Sequence, residues 1–379
     1  MTAQLFMGNH QVLYRKYRPY TFNEIIGQEH VVRTLTNALN TDKVAHAYLF
    51  TGPRGTGKTT IARLLARHVN CVKRSDNTGT VCSTKDDVCI NCASFLFGNH
   101  PDLIEIDAAS NRGIDEIRAL KEGIRFMPVQ ASHKFFIVDE VHMLTKEAFN
   151  ALLKTLEEPP SHAIFVLATT EIHKVPSTIS SRCQRFDFKR LNLEEIKNRL
   201  QGIGAQEGIN IDDAALELIA IYADGSERDA ESLLDQVISF ASGVGNLNIT
   251  REDAASVLGL VEFSVIREFI ETLVAKNSSA ALALINSSAE KGYDMEQFLK
   301  ASIAYLREIL LLSINSEVIE YVVKRIGKEQ TEAALAQAQI LSKEKVTAII
   351  ERFLEAVQQM KYSPSPQLPI EIAVVELLN

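Results

Sequence analysis

The chain has 379 residues, 46% of them hydrophobic and 23% charged, enough for two or three domains with proper cores and too apolar for a disordered tail. No stretch approaches the ~18 consecutive apolar residues that a membrane helix needs. Residues 1–8 lack the basic region and apolar run of a signal peptide, so a cytoplasmic protein without a membrane partner is expected. The net charge of −8 hides an asymmetry: residues 1–190 carry 24 basic and 19 acidic side chains, whereas residues 191–379 carry 16 and 29. A more basic front half suits a polyanionic ligand, nucleotide or nucleic acid.

Tyr14 to Pro19 is basic, aromatic and non-periodic; it suits either a flap over a base or a surface arm. A helix is predicted over Gln28–Asn40, with Val31, Val32, Leu35 and Leu39 on one face. Ala47-Tyr48-Leu49-Phe50 reads as a buried strand. It feeds Gly52-Pro53-Arg54-Gly55-Thr56-Gly57-Lys58-Thr59, with Thr60 behind. This is GxxxxGK[ST], a phosphate-binding loop, and a helical pattern with Ile61, Leu64, Leu65 and Val69 follows. Glycines let backbone N–H groups approach a pyrophosphate, and the helix N-terminus adds its dipole. Lys58 would then reach the β- and γ-phosphates and Thr59 would hold Mg²⁺.

Cys71, Cys82, Cys89 and Cys92 fall within 22 residues, whereas the fifth cysteine, Cys183, lies far away. In a cytoplasmic protein such clustering favours metal over disulfides. Cys89-Ile90-Asn91-Cys92 is the tight turn that sets two thiolates on one ion, and four sulfurs make a closed structural zinc site. The competing reading is a set of reduced, unbound thiols. Zinc would staple residues 71–92, a loop-rich insert with few apolar residues.

Leu103–Asp107 reads as a second strand, Ala108–Gly113 as a small-residue loop and Ile114–Ile124 as a helix with Asn111 and Arg112 at its start. Phe135-Phe136-Ile137-Val138 ends in Asp139-Glu140, a Walker B pattern. A buried parallel strand delivers acids at its C-terminal edge, so Asp139 would orient Mg²⁺ and Glu140 the attacking water. A helix over Lys146–Glu158 stops at Pro159-Pro160, a strand spans Ala163–Ala168, and Thr170 follows within reach of a γ-phosphate. Alternating strands and helices to residue 188 predict a parallel α/β sheet. Helices are then predicted at Leu193–Glu207, Asp212–Asp224 and Arg228–Ser242, and a second helical block at Arg251–Leu378.

These motifs in this order resemble the AAA+ clamp-loader ATPases, and most closely the gamma/tau subunits of bacterial DNA polymerase III. The stretches that carry the likeness are YRKYRPYTFNEIIGQEHV, HAYLFTGPRGTGKTT, LIEIDAASNRGIDEIR, VDEVHML, FNALLKTLEEPP, LATT, SSRCQRF and GSERDAESLLDQ, within residues 14–236. The four-cysteine insert is also a trait of that family, although its spacing is longer here. The resemblance implies an AAA+ domain at 1–188 with the zinc insert at 71–92, a helical lid at 189–245 and a helical collar at 246–379. It implies that Tyr14, Arg18, Pro19, Ile25 and Ile26 pack on adenine. Thr170 and Arg228 would sense the nucleotide, and Arg182 would act as an arginine finger on ATP held by a neighbouring subunit. The implied cofactors are ATP, Mg²⁺ and Zn²⁺. The implied partners are delta-like, delta-prime-like and further gamma/tau subunits in a pentamer, the sliding clamp, and primed DNA gripped through phosphates, with Arg112 as a candidate contact.

The implied activity is ATP hydrolysis within the DNA polymerase III complex, coupled to clamp opening and loading. Three rivals compete: a branch-migration helicase, a non-hydrolysing ring member of delta-prime type, and a bare zinc-dependent interaction module. The first has no use for the cysteines. The second would lack Lys58, Thr59, Asp139 and Glu140, and the third explains only residues 71–92.

Overall fold

The computed structural model describes residues 11–73, 82, 88–110, 120, 122–243, 248–259, 261, 263–314, 319, 322–323 and 328–378. The chain forms two compact units, residues 1–254 and 255–379.

A five-stranded parallel sheet organises the first unit: β1 (Ala47–Thr51), β2 (Leu103–Asp107), β3 (Lys134–Asp139), β4 (Ala163–Thr169) and β5 (Gln184–Asp187), in the order β2-β3-β4-β1-β5. The sheet is covered on both faces, which is why β1, β3 and β4 read as unbroken apolar runs. Side chains alternate across it. Tyr48, Phe50, Phe135, Ile137, Ile164 and Val166 join one core with Val31, Leu35, Ile61 and Leu65. Ala47, Leu49, Phe136, Val138, Phe165 and Leu167 join the other with Phe149 and Leu152. Because β4 lies between β1 and β3, the C-terminal ends of all three open on one cleft.

Helices Leu193–Glu207, Asp213–Tyr222 and Glu227–Gly243 follow, with a short parallel pair, β6 (Asn210–Ile211) and β7 (Asn248–Ile249). Asn192 begins the first of these helices through a capping box with Glu195. In the second unit, helices Phe263–Val274, Ser278–Glu290, Met295–Ile314, Lys328–Ile340, Lys343–Met360 and Leu368–Leu378 surround a core in which Phe269 packs on Phe298 and Phe353.

Two elements depart from the sequence expectation. β5 is a real edge strand, but only Phe186 of its four residues is buried, so it carries no apolar run. The cysteine segment is not all loop: Cys89 starts the helix Ile90–Phe97 and its sulfur accepts from the Cys92 N–H. The expected helix Ile114–Ile124 falls largely outside the described residues, as do Asn111, Arg112, residues 1–10 and the cysteine segment at 74–81 and 83–87.

Asp102 holds the sheet's far edge. Its fully buried carboxylate accepts from the N–H groups of Val129 (2.8 Å), Gln130 (2.8 Å) and Ala131 (2.9 Å). Burial alone would raise its pKa, but the three donors outweigh burial and hold the carboxyl below its ordinary range. A depressed carboxyl stabilises the fold above its unfolded pKa, and that stability is lost as pH falls through the folded value. Asp102→Ala should therefore cost about 2–4 kcal/mol in urea unfolding at pH 7, because three buried donors lose an ionised acceptor. The deficit should shrink as pH is lowered below ~4.

Candidate active site

β1 runs into the phosphate loop, and Gly57, in a left-handed conformation (φ 92°), begins the helix Lys58–Val69. The loop is closely fitted. The Gly52 N–H donates to the Thr169 carbonyl (3.2 Å) at the end of β4, and the Thr56 hydroxyl donates to the Pro53 carbonyl (2.9 Å). A Cβ at Gly55 (φ 74°) would lie 1.9 Å from Ser226 Oγ, and the Gly55 carbonyl accepts from the Glu227 N–H (3.1 Å). The loop thus seats the start of helix Glu227–Gly243. At Gly57 an added Cβ would meet nothing within 4 Å, which leaves the loop's mouth open to a ligand.

Lys58 is buried, and its Nζ donates to the carbonyls of Gly52 (2.8 Å) and Pro53 (2.6 Å). Burial pushes its pKa down, against the pull of Glu140 and Asp139. The Thr59 hydroxyl donates to Asp139 Oδ2 (2.7 Å), tying the start of the helix to the end of β3. Asp139 Oδ1 accepts from the Glu140 N–H (2.9 Å). Glu140 has a left-handed backbone (φ 47°), a strained conformation of the sort found at functional sites. Its carboxylate accepts from the Thr170 hydroxyl (3.0 Å). His142 Nδ1 lies 3.3 Å from the same carboxylate and 3.0 Å from the Thr169 hydroxyl, while its Nε2 lies 3.1 Å from Glu171.

Of these residues, Gly55, Gly57, Lys58, Thr59, Asp139 and Glu140 border a cavity of about 400 Å³, whereas Thr170 and His142 are not among its lining residues. Tyr14, Arg18 and Pro19 form part of its wall, with Arg54, Gly55, Gly57, Lys58, Thr59, Thr60, Asp139, Glu140 and Arg228. The Arg228 guanidinium stands 4.9 Å from the Tyr14 ring centre, a cation–π contact. The basic-aromatic segment is fixed from outside. Glu207 accepts from Lys16 and from the Tyr17 hydroxyl (both 2.6 Å), and Arg199 donates to the Tyr17 carbonyl (2.6 Å). Ile25 packs instead against the core that includes Phe22, and neither Ile25 nor Ile26 is among the lining residues. Arg182 does not line this cavity either. It is partly exposed, pairs with Glu157 (2.5 Å) and donates to the Thr178 carbonyl (2.8 Å).

Sequence reasoning missed four contributors: His142, Asp107, Glu227 and Glu231, the last three of which line the cavity. Glu227 and Glu231 share one cation, Arg199, at 3.1 and 2.9 Å. The spacing of four residues places both on one helix face and could have flagged them. Burial and the neighbouring Glu227 outweigh Arg199, so Glu231 is pushed up to about 8.

Away from the cleft, Cys71, Cys82, Cys89 and Cys92 converge, their sulfurs all within 4.8 Å of one another and three of the four residues buried. Burial raises the Cys89 thiol, but N–H donors from Cys92 and Val72 bring it down to about 7.

Three family models cover most of the chain. One described as DNA polymerase III, delta subunit, matches residues 27–192. One for the ATPase lid domain of a DNA polymerase III clamp loader subunit matches 195–243, and one for domain III of the gamma and tau subunits matches 249–379. DNA polymerase III subunit gamma of Buchnera aphidicola is 35% identical over 98% of this chain and 99% of that protein. The chain belongs to the DNA polymerase III gamma/tau family. The tau subunits of Bacillus subtilis and Escherichia coli are 42% and 38% identical over 97% and 98% of the chain, but the matches span only 63% and 55% of those longer proteins. Among solved structures, the RuvB Holliday junction branch migration motor of Thermotoga maritima overlaps 68% of this chain and 79% of that one at 22% identity. The TM-score of that overlap is 0.49.

A raised carboxyl favours the folded state below its unfolded pKa, and the advantage is lost as pH rises through the folded value. Raising pH from 6 to 9 should therefore lower the melting temperature of the wild type more than that of Glu231→Gln. Differential scanning calorimetry of both proteins checks this.

Proposed function

We propose that the chain is an ATPase subunit of a clamp loader, using ATP binding and hydrolysis to open a sliding clamp and place it on primed DNA. The observation that supports this best is the bond from Thr59 to Asp139 in a gamma/tau family member. It brings the phosphate loop and the acidic strand end together at the cleft, as a nucleotide with Mg²⁺ requires. The branch-migration alternative fits less well, since the gamma/tau domain III match takes up residues 249–379.

The roles follow from position. The N–H groups of residues 55–60 and Lys58 would hold the phosphates, with Lys58 giving up the Gly52 and Pro53 carbonyls for phosphate oxygens. Thr59 and Asp139 would hold Mg²⁺, which supplies charge neutralisation at the β- and γ-phosphates when bound. Tyr14, Arg18 and Pro19 would flank the base. Glu140 would orient the attacking water, and its bond to Thr170 gives Thr170 a path to register the γ-phosphate. Arg228, in the cavity wall, would reach the nucleotide from its own chain, whereas Arg182, paired with Glu157 outside that wall, would serve the site of a neighbouring subunit. An always-charged fork suits that task.

The four cysteines suit Zn²⁺ by donor chemistry, and an ion there would hold all four as thiolates. We assign residues 1–188, 189–245 and 246–379 to the ATPase, lid and collar domains, with delta-like, delta-prime-like and further gamma/tau subunits completing a cytoplasmic pentamer. Among the described residues, no helix is long and apolar enough to cross a membrane.

Three variants test the assignment in the assembled loader, with fluorescent-nucleotide binding and phosphate release as readouts. Lys58→Ala should lose ATP binding. Glu140→Gln should bind ATP and lose hydrolysis. Arg182→Ala should keep ATP binding and lose about 10³-fold or more of clamp- and DNA-stimulated hydrolysis. Full stimulated hydrolysis by Arg182→Ala would contradict the shared site.

A further inference from the structure

Arg67, on the last turn of the helix that Lys58 begins, is 1% exposed. A buried guanidinium demands both hydrogen-bond acceptors and a counter-charge. Arg67 has acceptors from two separate segments. One arm donates to the carbonyl of Tyr20, and the other to the carbonyl of Cys82. Its guanidinium also lies 3.6 Å from the centre of the Tyr20 ring. Its own carbonyl faces Cys92 Sγ at 4.0 Å. Among the described residues it has no carboxylate partner, and Nε is buried without an acceptor. The anionic group that this position offers is the cysteine cluster. Four thiolates around one Zn²⁺ leave a formal charge of about −2, a fitting counter-charge for a buried cation.

The other end of the connection is the nucleotide cavity. Tyr20 follows Arg18 and Pro19, both in its wall. Thus one side chain bridges the cysteine centre and the backbone of the segment that would flank the base.

We propose that Arg67 is a positioning residue that couples the zinc centre to nucleotide affinity, holding the Arg18–Tyr20 wall in place only while the ion is bound. The inference rests on the ATP and zinc assignments above. A lysine side chain does not take over this role, because its compact ammonium lacks the planar fork that aims two arms at the Tyr20 and Cys82 carbonyls while stacking on the Tyr20 ring. Linkage makes the coupling reciprocal: nucleotide should tighten zinc as much as zinc tightens nucleotide.

The test uses the full chain, with zinc release to a chromogenic chelator, affinity for fluorescent ADP, and circular dichroism to confirm retained fold. In the wild type, chelating zinc should weaken ADP binding by about tenfold, and saturating ADP should slow zinc release. Arg67→Lys should retain zinc and its helical signal, bind ADP about tenfold more weakly at the outset, and respond little to chelation. Arg67→Leu should do the same if it folds. A wild type that holds zinc and binds ADP, but whose ADP affinity is unchanged on chelation, overturns the coupling alone. So does Arg67→Lys with wild-type ADP affinity and a full response to chelation. A wild type that holds no zinc, or binds no ADP, overturns the corresponding assignment and the coupling with it.

Discussion

The bond between Thr59 and Asp139 joins two segments that lie 80 residues apart, the start of the first helix after the phosphate loop and the end of β3. Neither segment makes a site alone. A glycine loop at a helix N-terminus attracts any anion, and a strand ending in two acids would repel one. Side by side, they create a position where phosphate oxygens and carboxylates need a divalent cation between them. The sheet order makes this possible. β4 separates β1 from β3, so their ends flank one cleft, and Thr169 closes it below by accepting from Gly52.

The lid is built onto the loop. Glu227 donates its N–H to Gly55, and Ser226 stands where a side chain at Gly55 would go, so a change in loop geometry must be felt by helix Glu227–Gly243. The same helix presents Arg228 to the cavity and packs its Glu227 and Glu231 on Arg199. Arg199 in turn holds the Tyr17 carbonyl beside the cavity wall. Loop, lid and N-terminal segment therefore form one network of hydrogen bonds around the cavity. Arg182 is turned away from it, against Glu157, as the proposed role on a neighbour's nucleotide requires.

What the sequence made legible was whatever chemistry is written in consecutive residues. The phosphate loop, the Asp139-Glu140 strand end and the Cys89–Cys92 turn each combine a backbone requirement with a reactive side chain within a few positions. Buried strands were readable because both sheet faces are covered. β5 was not, since a four-residue edge strand with one buried side chain has no period to detect. Ile25 belongs to a core that only the packed structure reveals, because apolar residues beside a cleft look alike in sequence whichever way they face. Arg67, Arg199 and His142 were invisible for a different reason. Apart from the contact of His142 with Glu140, their roles consist of partners 15 to 182 residues away, and an arginine in a helix otherwise reads as solvated surface.

The claim that Thr59 and Asp139 form a cation site is tested most directly by ATP affinity with and without Mg²⁺, in the wild type and in Asp139→Asn. Asparagine can still accept from Thr59 but brings no charge. The wild type should bind ATP about tenfold or more tightly when Mg²⁺ is added, and Asp139→Asn should gain little. Equal Mg²⁺-dependent tightening in both proteins would contradict the account.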